Sequence, residues 1–190
     1  KSNSFNWWRT GMELKIGEFV FNSQSSLNYG IYVDDVIPFI PPKRLRRQTI
    51  AGKSGTFDYG SKDYHDIGVT LKCYSKKEYE RAEWREVVYW LSKKARLYIW
   101  DDPDKYYIGE LQDADDLDWK SLSHMEPFKL NFICEPFAYK DIPAKSIQSG
   151  NNSIEYQGTF PAPVVIRIQN VGNANVSNIT ITTVEKEGSL

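Results

Sequence analysis

The sequence lacks the features that would assign the chain to a membrane, a nucleic acid or an oxidised extracellular scaffold. No run approaches the ~20 apolar residues that a membrane-spanning helix needs. Lys1 to Thr10 is polar and has no apolar centre of the kind found in signal peptides. The net charge of -1 argues against binding nucleic acid by covering its phosphates. Two cysteines and two histidines leave little material for disulfides or metal ligands.

Three groups of residues suggest chemistry, but none has the spacing that the chemistry needs. Gly52-Lys53-Ser54 ends like a phosphate-binding loop, yet Arg47 stands where the first glycine belongs and no helical pattern follows. The acidic stretch 113–118 lacks the ligand order and the glycine of a calcium loop. His65 and His124 are far apart in the sequence, without a partner at metal-ligand spacing. We therefore predict no catalytic, cofactor or metal site, and a protein that is not an enzyme.

The two cysteines, Cys73 and Cys134, each lie in an apolar run that alternates like a strand. We expect two buried, reduced thiols. The alternative is a disulfide, which would need an oxidising compartment and a suitable distance between the two residues.

What the chain does contain is enough apolar material for a folded core. Hydrophobic residues make up 41% of the sequence and charged residues 26%, which is typical of a folded protein and argues against disorder. Aromatic residues reach 14% and include six tryptophans. Such rings favour β-rich cores and protein–protein contacts.

Alternating apolar residues predict strands, and one longer periodic segment predicts a helix. Ser75 to Glu78 has the spacing of a capping box, so we predict a helix over about residues 76–95. The apolar stripe of that helix, repeating with the 3.6-residue period, consists of Trp84, Val87, Val88, Leu91 and Ala95. The strands are predicted at 18–21, 31–40, 63–74, 97–100, 106–111 and 128–134. This order of elements favours an α+β domain with a curled antiparallel sheet.

The composition changes near Lys140. Residues 141–153 are poor in large apolar side chains, which is typical of a linker. Further β-runs follow at 154–156, 164–168 and 179–182. They predict the start of a second, all-β domain. Because about 40 residues seldom build a stable core alone, we expect the natural chain to continue past Leu190.

A basic run follows the second strand and lies beside glycines and prolines, which predicts a loop or arm with short extended pieces. Its charged residues are Lys43, Arg44, Arg46 and Arg47. We prefer an arm that lies across an acidic neighbouring subunit over a nucleic-acid contact, because the whole chain is balanced in charge. The complementary acidic surface is predicted either in the stretch 113–118 or in a turn. The acidic residues of that turn are Asp101, Asp102 and Asp104.

Four stretches of the sequence form a pattern when they are taken in order. They are Pro42-Lys43-Arg44 leading into Thr49-Ile50-Ala51-Gly52-Lys53-Ser54-Gly55, the helix ending Trp90-Leu91, Leu97-Tyr98-Ile99-Trp100-Asp101-Asp102-Pro103 before Tyr106-Tyr107, and Phe128-Lys129-Leu130-Asn131-Phe132-Ile133-Cys134-Glu135-Pro136-Phe137-Ala138-Tyr139. In this order and spacing they resemble the distal tail proteins of siphophages that infect Gram-positive bacteria. The resemblance covers roughly residues 14–140 and continues more loosely from Ile154. Residues 1–11 match nothing in the family's pattern, and we interpret them as a candidate non-native leader before Met12.

The resemblance implies a split-barrel-like N-terminal domain with one inserted helix over residues 12–140, followed by the start of a galectin-like sandwich over 154–190. It further implies a structural baseplate protein that forms a hexameric ring, joins the tail tube to the tip and lets DNA pass through its channel. The implied location is the virion tail tip, after synthesis in the host cytoplasm. The implied partners are further copies of the chain, the tail tube protein, a tail-associated tip or lysin protein and a receptor-binding protein.

Two other functions remain as alternatives. A carbohydrate-binding module of a tail-tip adhesin would use exposed aromatic rings, whereas Trp84, Trp90 and Trp100 lie in elements that we expect to be largely buried. A cell-wall hydrolase would need a pair of carboxylates, and the sequence singles out no such pair. The structural ring protein is therefore the preferred interpretation.

Overall fold

The computed structural model describes residues 14–37, 40–60, 63–113, 126–148, 150–175 and 177–182. The candidate leader, His124 and most of the acidic stretch 113–118 lie outside the described residues, so the predictions made for them are not addressed. The chain divides into two compact units between Ala144 and Lys145, which falls inside the segment predicted as a linker.

The described residues of unit 1 form an antiparallel sheet, one α-helix and a separate two-stranded ribbon. In chain order its elements are β1 (Phe19–Phe21), β2 (Gln24–Ser25), a 3-10 helix (Ser26–Tyr29), β3 (Ile31–Ile37), β4 (Arg47–Thr49), β5 (Thr56–Asp58), β6 (Ile67–Ser75), α1 (Arg81–Leu91), β7 (Ala95–Ile99), β8 (Tyr107–Asp113) and β9 (Phe128–Cys134). The strand order in the sheet is β2-β1-β7-β8-β9-β6-β3, and β4 pairs with β5. The predicted α+β class is confirmed at this level: a mostly antiparallel sheet carries one helix.

The antiparallel pair of β6 and β9 forms a long part of the sheet, and the residues of both strands alternate between buried and outward-facing positions. In β9 the inward side chains of Phe128, Leu130 and Phe132 are at most 2% exposed. Burying such apolar side chains is the main stabilising contribution to a fold of this kind. The strict two-residue period explains why these strands were the easiest to locate from sequence.

The two cysteines lie at opposite ends of this strand pair. Ile67 is opposite Cys134, whereas Cys73 is opposite Phe128 at the far end of β9. A strand rises ~3.4 Å per residue, so the two thiols are about 20 Å apart along the sheet, beyond the span of a disulfide. Both cysteines are buried and free. The prediction of two buried, reduced thiols is confirmed.

The sheet is curled, because its far strand β3 approaches the chain just before β1. The backbone N–H of Val33 donates to the carbonyl of Gly17 at 2.8 Å. Gly17 has a left-handed φ of 81°, and a Cβ there would lie 3.0 Å from the Val33 carbonyl oxygen. Glycine is therefore required at the point where the two edges of the sheet meet.

The predicted start of the helix at Ser75 is wrong. Ser75 is the last residue of β6, pairs with Ile31 and is 3% exposed, and its hydroxyl bonds the backbone of Lys77 in a tight turn. The helix begins at Arg81 instead, where the Glu83 carboxylate accepts the N–H of Glu80. A serine hydroxyl serves a turn as well as a helix, so the motif alone does not distinguish the two.

The end of the helix and its buried stripe also differ from the prediction. The helix ends at Leu91, and Ala95 already pairs with Gly109 in the sheet. Val88, predicted to be buried, is 39% exposed, whereas Trp90 is only 2% exposed. The Trp90 indole N–H reaches the carbonyl of Phe21 at 2.8 Å, and this bond orients the helix on β1.

Unit 2 does not show the strands predicted for it. The described ranges 150–175 and 177–182 contain no strand, so the strands expected at 154–156, 164–168 and 179–182 are wrong for these residues. Aliphatic side chains there stay exposed, including Val165 at 88%. A strand needs a paired neighbour and cover for its apolar face, and the described residues provide neither. The galectin-like sandwich remains a prediction.

Candidate assembly interface

The basic run lies in an arm between β3 and β6, defined here by the described residues 42–60 and 63–65. At the base of the arm, Lys43 pairs with Tyr64 as an isolated bridge. The His65 N–H donates to the Pro42 carbonyl, and the Arg44 N–H donates to the Asp63 carbonyl, both at 2.9 Å. The start of the strand predicted at residue 63 therefore belongs to the arm, and β6 begins only at Ile67.

The outer part of the arm is a ribbon of β4 and β5, which pair with each other and with no other strand of the described residues. Arg47 is opposite Asp58, and Thr49 is opposite Thr56. Glycines with left-handed φ angles in the turn let the chain reverse at the tip. The predicted loop with short extended pieces is thus a hairpin, and Gly52-Lys53-Ser54 lies in its turn rather than before a helix.

One face of the ribbon is aromatic, a feature that the sequence analysis missed. Phe57 is opposite Gln48, and Tyr59 is two residues further along the same strand direction. The two rings meet edge to face with centroids 5.0 Å apart, and the Tyr59 hydroxyl donates to the Gln48 side chain at 2.9 Å. Phe57 is 42% exposed and Tyr59 is 59% exposed. The alternation of Phe57 and Tyr59 after Gly55 was the available signal.

The four basic residues are exposed, but they do not form one patch. Arg46 and Arg47 are consecutive in an extended ribbon, so their side chains project from opposite faces. Arg46 forms an exposed ion pair with Asp63 at 3.3 Å. Arg46 therefore lies on the same face of the ribbon as Phe57 and Tyr59, and Arg47 lies on the other face. The contact of the basic residues with a neighbouring subunit stays a prediction.

The acidic turn, one of the two predicted acidic surfaces, lies between β7 and β8, and two of its charges have partners within the chain. Asp102 pairs with Lys105 at 2.7 Å, and Asp104 pairs with Lys140 at 3.2 Å. Asp101 is exposed and forms no ion pair within the described residues. Exposed ion pairs contribute little to stability, so their charged groups can change partners at low cost. The pairs within the chain therefore do not prevent the turn from contacting a second chain.

The arm and the acidic turn leave the sheet at the same end. The arm precedes β6, whose first residue Ile67 is opposite Cys134, the last residue of β9. Cys134 is in turn opposite Gly109, near the start of β8, and the acidic turn immediately precedes β8. The strand registers therefore place the two features near one another, separated by the width of β9.

The segment that follows β9 contacts both features. The Phe137 ring meets the Tyr64 ring at the base of the arm, with centroids 5.0 Å apart. Tyr139 exchanges two backbone hydrogen bonds with Tyr106, of 2.9 and 2.8 Å, beside the acidic turn. Residues 135–141, which we call the strap, thus connect the arm to the turn.

The described residues show no alternative chemical centre. They contain no group of three or more histidine, cysteine, aspartate or glutamate side chains arranged to hold a metal ion. His65 is exposed at the base of the arm. Within the part of the chain that the structure describes, no helix has the length and apolar character needed to cross a membrane.

The fold of unit 1 is a curled antiparallel sheet with one helix and a protruding hairpin. It is similar to the crystal structure of the SPP1 Dit protein, described as a paradigm of the hub adsorption apparatus in phages that infect Gram-positive bacteria. The match has a TM-score of 0.52 and 17% identity, and it covers 65% of this chain and 52% of that chain. The chain therefore spans about half the length of this neighbour. No family model and no curated protein matches the sequence.

Proposed function

We propose that the chain is a structural component of a phage tail hub, and that its copies assemble into a hexameric ring through the arm. The observation that carries the proposal is the aromatic face of the arm. Phe57, Tyr59 and Ile50 are each more than 40% exposed on a ribbon that pairs with no other strand of the described residues. A hairpin on its own is marginally stable in water, so such a face is expected to pack on another chain.

The unlike chemistry of the two patches supports a head-to-tail contact between copies. A ring closes when each subunit presents two unlike surfaces that meet head to tail. The arm carries aromatic and basic side chains, and the turn at Asp101, Asp102 and Asp104 is acidic. In this proposal the arm of one copy packs near the turn of the next, with arginines at the rim of the aromatic contact.

The remaining elements of the proposal follow from the likeness to a hub protein. The ring joins the tail tube protein to a tail-associated tip or lysin protein at the tip of the virion, and DNA passes through the channel. A balanced chain charge suits this passage, since a strongly basic channel would hold the phosphates. Unit 2 lies in the region where we propose a galectin-like domain that carries a receptor-binding protein.

Sedimentation velocity on arm variants tests the proposal. We expect Phe57→Ser with Tyr59→Ser to abolish the oligomer while the melting curve of the fold stays unchanged, because neither ring belongs to the core. Charge reversal at Arg44, Arg46 and Arg47 should weaken assembly at low salt. Tyr89→Ser, which changes an equally exposed aromatic residue on α1, is the matched control and should leave the oligomer intact. Assembly that survives the arm variants would refute the proposed interface.

A further inference from the structure

A groove of about 360 Å³ lies between α1 and the turn that joins β1 to β2. The groove is lined by Asn22, Tyr29, Arg85, Glu86, Tyr89 and Trp90, among others. None of these residues belongs to the arm, the acidic turn or the strap. Its volume is at the lower end of the range that small-molecule sites occupy, roughly 300–1,000 Å³.

A largely buried aromatic stack lies beneath the groove. Trp90 lies nearly parallel to Phe19 on one side and to Tyr29 on the other, with ring centroids 5.5 and 4.4 Å away. The indole N–H of Trp90 is held by the Phe21 carbonyl, and the Tyr29 hydroxyl donates to Gln24. Because each ring is held by packing or a hydrogen bond, a ligand would meet a surface that is already formed.

The rim of the groove presents an exposed aromatic ring. Tyr89 is 68% exposed and lies one helical turn after Arg85, on the same face of α1. The Lys93 ammonium group lies 4.6 Å from the Tyr89 ring centroid on one side of the ring. The other side of the ring can therefore take an apolar contact, while the hydroxyl stays in water.

Three polar side chains that line the groove make no hydrogen bond or ion pair within the described residues. Arg85, Glu86 and the side-chain amide of Asn22 have neither a hydrogen bond nor an ion pair there. Asn22 and Ser23 both adopt left-handed φ angles, of 48° and 61°, in the tight turn that brings Asn22 to the groove. Together the three side chains offer donors from the guanidinium, acceptors from the carboxylate, and both from the amide.

We infer that this groove is a binding site for a neutral saccharide, whose apolar ring face packs on Tyr89 while its hydroxyls bond Arg85, Glu86 and Asn22. Each sugar hydroxyl both donates and accepts, which matches a mixed set of donors and acceptors. A phosphate or carboxylate ligand would use only the donors of Arg85, Lys93 and Asn22, and it would lie beside the like charge of Glu86, which it gives no hydrogen bond. The site does not depend on ring assembly, since it uses no residue of the proposed interface.

The test measures binding of soluble trisaccharides to the full chain by isothermal titration and by saturation-transfer NMR. The probes are the trimers of N-acetylglucosamine, glucose and xylose, with inorganic phosphate as the anionic probe. At least one trimer should bind with a Kd of about 1 mM or below, the range of a weak single site. Tyr89→Ala and Glu86→Gln should each weaken it by about tenfold, which corresponds to 1.4 kcal/mol.

Tyr156→Ala is the matched control, because it removes an exposed aromatic residue that belongs to neither the groove nor the arm. Binding of a trimer that is unchanged by Tyr156→Ala and weakened by Tyr89→Ala supports the saccharide site. The inference is overturned if no trimer binds, if both tyrosine variants weaken binding equally, or if phosphate binds as well as the best trimer. Circular dichroism of each variant confirms that the comparison is made on folded protein.

Discussion

Gly109 on β8 lies directly opposite Cys134 on β9, and the two strands are so close there that position 109 has no room for a side chain. A Cβ at residue 109 would contact the Cys134 sulfur and would lie 2.7 Å from the carbonyl oxygen of Ile133. This close approach fixes the register of the two strands. The register in turn places the acidic turn and the strap at the end of the sheet that carries the arm.

Replacing Gly109 with alanine should destabilise the fold. The added methyl group forces β8 away from β9, and overpacking of this kind typically costs about 1–3 kcal/mol of unfolding free energy. Gly68→Ala is the matched control, since no atom lies within 4 Å of a Cβ there and the residue also lies in a central strand. Urea unfolding followed by circular dichroism should show a lower free energy of unfolding for Gly109→Ala but not for Gly68→Ala. An equal loss in the two variants would contradict the close contact between β8 and β9.

Trp90→Phe should also lower the unfolding free energy, by about 2 kcal/mol. The substitution removes the indole N–H that bonds the Phe21 carbonyl in a buried site, and an unsatisfied buried acceptor costs roughly 1–3 kcal/mol. Tyr89→Phe, at the neighbouring exposed position, should change stability by less than about 0.5 kcal/mol. Thermal and urea unfolding measure both variants, and a neutral Trp90→Phe would show that the bond does not hold the helix.

The strap is held by Arg96, whose guanidinium lies 4.2 Å from the Tyr106 ring centroid and 2.6 Å from the Asp141 carboxylate. Arg96→Ala should release residues 139–141 and speed hydrogen exchange at the Tyr139 amide, with little change in Tm because the ion pair is exposed. Lys105→Ala, which removes a different exposed pair at Asp102, should leave that amide protected. Unchanged exchange in Arg96→Ala would mean that the backbone bonds alone hold the strap.

Stability should fall as the pH rises above about 9. Burial raises the pKa of the Cys134 thiol from its ordinary 9.0 to about 12, and it raises the pKa of Cys73 as well. Between these values the unfolded thiol loses its proton while the folded thiol keeps it, so the contribution to stability is full below pH 9 and is lost as pH rises towards 12. Urea unfolding midpoints measured from pH 8 to 11 should fall as the pH rises. The midpoint of Cys134→Ala should depend less steeply on pH. A midpoint that does not change with pH would contradict the burial of both thiols.

Strands of the central sheet could be located from sequence because their period of two residues reports burial directly. The residues of β9 alternate without exception, and the prediction at 128–134 is confirmed. The first and last residues of the helix were harder to predict. Ser75 satisfies a motif that turns and helices share, and only the pairing of Ser75 with Ile31 in the sheet decides between them.

The candidate interface could be predicted only in part. The glycines and prolines around residues 42–55 correctly indicate an arm, but charge drew attention to Arg46 and Arg47 instead of the rings at Phe57 and Tyr59. Which side chains share a face depends on the pairing of Gln48 with Phe57, and that register is a property of two strands together. The strands predicted after Lys145 were wrong for a related reason. Apolar runs form strands only where a partner strand exists.

The central claim is that copies of the chain meet through unlike surfaces and close into a ring. Native mass spectrometry of the full chain at micromolar concentration tests it most directly, because the technique counts subunits. The account predicts a six-subunit species, or two such rings together, that disappears when Phe57 and Tyr59 are replaced by serine. A spectrum containing only monomers or dimers across the concentration range would contradict it.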